Sequence, residues 1–219
     1  FERFVDFVMA RWAQFPSLHI YHYAPYEPAA LKRLMGRYAT REEEIDRMLR
    51  ARLFVDLYQI VRHGVRASVE SYSIKRLEPF YAFDRATPLT EANSALATLQ
   101  ANLELGDAPA VSDETKATVR AYNEDDCRSA ARLRDWLEIQ RTNLVADGID
   151  VPRPQLGDGA PNEKITDWLI RINALIERLT TDVPADPPER NEEQQARWIL
   201  ANVVDWHRRE EKAVWWEYF

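Results

Sequence analysis

The chain has 219 residues, 46% of them hydrophobic and 30% charged, a mix that suits one or two folded domains and excludes a disordered chain. No apolar run approaches the roughly 18 residues a membrane helix needs, and one cysteine, Cys127, excludes a disulfide framework and a cysteine-cluster zinc site. The net charge is −7, but it is unevenly spread: residues 31–85 carry 12 basic against 8 acidic groups, whereas 86–219 carry 15 against 25. Any phosphate-facing surface should therefore fall on 31–85, although composition alone favours basic residues that simply solvate helix faces there. A cytoplasmic location is the simplest reading. Both ends, Phe1 without Met and the closing Trp-Trp-Glu-Tyr-Phe, read as cuts within a longer protein.

In chain order, Phe1, Phe4, Val5, Val8, Trp12 and Phe15 recur at helical spacing and predict a helix over 1–14, stopped by Pro16. Residues 18–23, Leu-His-Ile-Tyr-His-Tyr, predict a strand. Pro28 suits the first turn of a helix through Met35. Thr40 to Glu43 has the capping-box pattern and opens a charged helix to about Arg52. Residues 54–58 predict a second strand, and 71–78 a short helix ended near Pro79. A helix over 90–105 is closed by Gly106. From Ser112 to Ala146 the chain is helix-compatible, with a break allowed at Asn123–Asp126. Residues 148–161 hold three of the six glycines and three of the twelve prolines and predict a linker. A stripe from Ile165 to Leu179 predicts a helix. Asn191 to Gln194 caps a last one, to about Arg209, whose Trp198, Val203 and Trp206 would cover that stripe as an antiparallel hairpin. Trp215 and Trp216 would meet a further region.

Four groups of residues bear on chemistry. Tyr122 and Asp126 lie four apart on a helix, hence on one face. A metal-binding carboxylate beside a water-orienting phenol is a hydrolytic arrangement, although such acids far more often cap helices or face solvent. Glu27 follows a strand end, where α/β sites collect ligands, and could equally be a favoured N-terminal helix acid. Asp56, amid apolar strand residues, either faces outward or is held at a site. The histidines show no metal-ligand spacing, and His19 and His22 point to opposite faces of a strand. No phosphate-binding glycine loop is present.

Taken in order, these stretches resemble the DEDD exonucleases of the ribonuclease H-like fold. HIYHYAPYEPAALKRLM (19–35) resembles their second motif, with Glu27 as the acid. FVDLYQIVRHGVRASVESYSIKRLEPFY (54–81) resembles the middle segment, and AYNEDDCRSAARLRDWL (121–137) the third motif in its tyrosine form. The best match is the YprB-like ribonuclease H-like domain of large bacterial RecB-like putative nucleases, in which a further nuclease region lies upstream and a helicase region downstream. ARWILANVVDWHRREEKAVWWEYF (196–219) resembles the connector into that helicase. The family's first motif, Asp-x-Glu on an opening strand, is absent, and Glu27 stands where aspartate is usual.

The resemblance implies an α/β fold, mostly helical in this chain: a partial ribonuclease H-like fold over 1–147, a linker over 148–164 and a helical connector over 165–219. It implies a 3′–5′ exonuclease that uses two Mg²⁺ or Mn²⁺ ions. Asp126 and Glu27 would be metal ligands, Tyr122 would orient water, and Asp56 and Asp125 are further candidates. The partners would be nucleic acid, DNA ahead of RNA, and the neighbouring nuclease and helicase domains, with no membrane. The chain alone would be nearly inactive. Two rival readings are a degenerate scaffold that binds nucleic acid without cutting and a polymerase proofreading domain; the proline-rich linker and helical tail speak against the latter.

Overall fold

The computed structural model describes residues 1–160, 163–208 and 211. The elements run α1 (Glu2–Gln14), β1 (Ile20–His22), α2 (Tyr26–Tyr38), α3 (Glu42–Arg50), β2 (Phe54–Asp56), α4 (Leu57–Gly64), α5 (Ile74–Leu77), α6 (Leu89–Glu104), α7 (Asp113–Ala146), α8 (Glu163–Thr180) and α9 (Glu192–Val203). β1 and β2 form a two-stranded parallel sheet. Among the described residues no helix is long and apolar enough to cross a membrane. The chain divides into two compact units: residues 1–19, 28–54 and 155–219, and residues 20–27 and 55–154.

In the first unit, α1 buries Val5, Val8 and Trp12, the face its spacing dictates. The Phe15 amide closes the helix on the Arg11 carbonyl, and Pro16 cannot extend it. α3 buries Ile45, Met48 and Leu49 and packs on α1. The capping box expected at Thr40 does not form. Arg41 occupies the cap position in a left-handed conformation, and the Thr40 hydroxyl donates to Glu2 Oε1 at 2.8 Å instead. Three glutamates in the first turn of α3 complement the helix dipole in its place.

Residues 149–160 form neither helix nor strand, as glycine and proline content demands, but they are anchored. The Gly157 amide donates to the Ala51 carbonyl. Gly159 has φ +73°, and a Cβ there would stand 2.8 Å from the Arg47 carbonyl oxygen and 3.3 Å from Trp12. Only glycine fits both the angle and the space.

α8 packs on α9, whose start carries the expected box: Asn191 accepts from the Gln194 amide, and Gln194 accepts from the Asn191 amide. α9 ends at Val203; after a turn at 204–205 residues 206–208 are helical again, and the expected end at Arg209 lies outside the described residues. The pairing covers less than the sequence suggests. Trp198, Val203 and Trp206 remain 37%, 55% and 48% exposed, and Ala201 is the α9 residue that is buried. The Arg190 guanidinium lies on the Trp198 ring, 4.4 Å from its centroid. Trp215 and Trp216 lie outside the described residues.

The second unit is organised by α7, which runs unbroken for 34 residues, about 50 Å. The break allowed at Asn123–Asp126 does not occur, because the Asp125 carboxylate accepts from the Thr87 amide at 2.9 Å rather than from its own helix. Ser112 caps the start by accepting from the Thr115 amide. Leu133 of α7 is fully buried in a cluster with Leu57, Val61 and Leu77, ringed by Tyr23, Tyr72, Tyr81 and Trp136. The strand expected over 54–58 stops at Asp56, whose Oδ1 accepts from the Tyr58 amide and so starts α4, a helix not expected from the sequence, at Leu57.

Candidate functional site

Residues four and seven apart on a helix lie on one side, so α7 presents Tyr122, Asp126 and Ser129 together. Facing them is the segment from α5 through the 3₁₀ turn Glu78–Tyr81 to Thr87. Its charged groups decide what the site can do.

Arg85 is the hub. Its Nε lies 3.0 and 3.1 Å from the two Glu78 carboxylate oxygens, and its Nη2 lies 2.6 Å from Glu78 Oε1. The Arg85 and Glu78 side chains are only 8% and 10% exposed. Arg85 Nη1 reaches the other way, to 2.8 Å from Asp126 Oδ1. Both of these atoms are buried and neither makes a hydrogen bond of good geometry among the described residues, so the contact is an ion pair. Burial works against the Arg85 charge, yet the bonds to Glu78 and Asp126 outweigh it and hold its pKa above the ordinary value.

Behind the pair, fully buried Ser129 donates to Glu78 Oε1 at 2.9 Å. That leaves Tyr81 to donate to Ser129 Oγ, also at 2.9 Å. Burial pushes the Tyr81 phenol up to about 12; the Ser129 hydrogen bond and Arg85 oppose this, and Glu78 adds to it.

Tyr122 sits between two cations. Lys75 Nζ donates to its hydroxyl at 2.7 Å and lies 5.0 Å from the ring centroid, while the Arg85 guanidinium lies 5.6 Å from the same centroid. Such contacts add roughly 0.5–1 kcal/mol each at partly exposed positions. The phenol is thus fixed in direction as well as place.

The other sequence candidates fare differently. Asp56 is occupied at the start of α4, and its Oδ1 also accepts from the Ala24 amide at 2.9 Å, which ties the end of β2 to the turn after β1. Asp125 is buried and committed to Thr87. Glu27 stands in the first turn of α2, 60% exposed, with Oε2 4.0 Å from His22 Nδ1. Cys127 records two of the acids: partial desolvation pushes its thiol pKa up, and the charges of Asp126, Glu27 and Glu124 follow as further causes.

Glu78, Arg85, Lys75 and Ser129 were not singled out by sequence reasoning. Nothing in their spacing sets them apart from solvated residues: Glu78 opens the 3₁₀ turn, and Arg85 lies four residues past its end, beside Asp84.

Residues 1–138 match the family model of the RNase H superfamily, and the chain belongs to that superfamily. The mostly helical α/β architecture fits a partial RNase H-like fold with a helical region. A nuclease-like, nucleic-acid-processing function goes with it. No curated protein and no solved structure matches the chain.

Nucleases of this fold typically use divalent metals. Tested against such an ion, the residues do not fit as they stand. Carboxylates are the right donors for Mg²⁺ or Mn²⁺, but among the described residues no three His, Cys, Asp or Glu side chains converge. The Asp126 oxygen nearest the network is already taken by a guanidinium.

Proposed function

We propose that this chain is the C-terminal part of a metal-dependent 3′–5′ exonuclease module that hydrolyses phosphodiester bonds of nucleic acid, DNA ahead of RNA. It belongs, in this reading, to a larger YprB-like, RecB-associated nuclease and helicase protein. Residues 1–147 are the nuclease portion, 148–164 the linker and 165–219 the connector toward the helicase. Asp126 and Glu27 are metal ligands in this reading. Tyr122 positions the attacking water.

The observation that carries this is the α7 face. Tyr122 and Asp126 sit one turn apart, inside a superfamily match to residue 138. The Lys75 bond holds the phenol hydroxyl in place, as a water-orienting group requires. The test is cleavage of end-labelled single-stranded DNA by the full-length protein with Mg²⁺ or Mn²⁺. Asp126→Asn should nearly abolish cutting, and Tyr122→Phe should slow it while preserving metal binding. Undiminished cleavage by Asp126→Asn would assign the activity to another domain.

A second reading, a scaffold that binds nucleic acid without cutting, is favoured by the Arg85–Asp126 pair. Strand binding without metal-dependent cleavage in the full-length protein would select it.

A further inference from the structure

The acid with the strongest claim to a metal is the one whose inner oxygen is buried against a cation. Asp126 Oδ1 is closed off from water although the side chain as a whole is 39% exposed, so the open part of the carboxylate is its other side. An ion approaching Oδ1 meets Arg85 first. Arg85 is not a loose surface side chain that can swing away. Glu78 clasps it through two nitrogens, and Glu78 is fixed by Ser129 and, through it, Tyr81. The guanidinium brings a unit positive charge to within 2.8 Å of the oxygen. At that distance, in a water-poor setting, its charge offsets that of the carboxylate and repels a second cation.

We infer that Arg85 competes with a divalent cation for Asp126, standing in the metal's place on the Oδ1 side, so that the chain by itself holds Mn²⁺ or Mg²⁺ only weakly. The inference rests on the proposed function only for the choice of metal; the competition is a property of these side chains. For a metal centre to use Oδ1, the extra donors must outbid a clamped guanidinium. Arg85 is thus a positioning residue that sets the threshold for metal loading.

The experiment measures free Mn²⁺ by electron paramagnetic resonance during titration of the 219-residue chain, with circular dichroism to confirm folding. The unaltered chain should bind at millimolar strength or weaker. Arg85→Gln should tighten binding about tenfold or more, since it removes a charge adjacent to the ligand oxygen, and adding Asp126→Asn should cancel the gain. Arg85→Gln leaves Glu78 buried without its partner and can unfold the chain. The variant Glu78→Gln/Arg85→Gln, which removes both charges at similar volume, is therefore measured alongside and should show the same gain. Equal affinity in the unaltered chain and in these variants overturns the inference, as does a gain that survives Asp126→Asn. Failure of the function proposed above would appear separately, as cleavage indifferent to Asp126, and would leave the Mn²⁺ result standing.

Discussion

Removing Arg85 without replacing its charge should be among the most damaging single changes in the second unit. Arg85→Leu takes away three nitrogen–oxygen contacts of 2.6 to 3.1 Å and leaves the Glu78 carboxylate, 10% exposed, with the Ser129 hydroxyl as its remaining partner. Breaking one side of a buried ion pair costs about 3–5 kcal/mol, because the surviving charge is stranded in a poor solvent. An exposed pair would cost no more than about 1 kcal/mol, so the two cases separate cleanly. The assay is urea unfolding followed by far-ultraviolet circular dichroism, comparing midpoints at constant slope. Removing both charges together should be far milder, with most of the loss recovered in Glu78→Leu/Arg85→Leu, since a buried pair exchanged for apolar groups is often close to neutral. A loss below about 1 kcal/mol for Arg85→Leu, or a double variant as unstable as the single, would refute the view that this cluster is a desolvated pair holding α7 to the segment before it.

Asp56→Ala should cost about 1–2 kcal/mol in the same assay, because it uncaps α4 and also strands the Ala24 amide; Asp56→Asn, which keeps an accepting oxygen, should recover most of it. The Tyr81 phenol, with its pKa pushed up to about 12 by burial, keeps its proton in the folded state at pH values where the unfolded chain, with phenols near 10, has lost it. Its contribution is thus fully present below about pH 10 and is lost as pH rises from there toward 12. Ultraviolet titration should show a late-titrating phenol that is missing in Tyr81→Phe, and that variant should be less sensitive to alkali.

The helices were legible wherever apolar spacing did the work. Val5, Val8 and Trp12 fix the buried face of α1 before any tertiary contact is considered. Starts and stops were legible only where a local bond decides them. Asn191 and Gln194 cap each other because both partners lie within one turn. Thr40 fails the same pattern because Glu2, 38 residues away, offers its hydroxyl a bond, and the left-handed Arg41 moves the helix start past it. α4 went unread because the acid that starts it, Asp56, looks like a strand residue in a run of apolar neighbours. Only the turn from β2 into α4 makes it a cap.

The site divides along the same line. Tyr122 and Asp126 were visible because a helix guarantees that residues four apart are neighbours. Their partners come from 41 and 47 positions earlier in the chain, where no periodicity points. A sequence names the charges but not their pairing, and at this site the pairing carries the chemistry. An Asp126 facing solvent would be an open ligand. The Asp126 found here has one oxygen held by Arg85, and Arg85 is held in turn by Glu78, Ser129 and Tyr81. Whether that carboxylate serves a metal therefore depends on how firmly Glu78, Ser129 and Tyr81 retain a guanidinium.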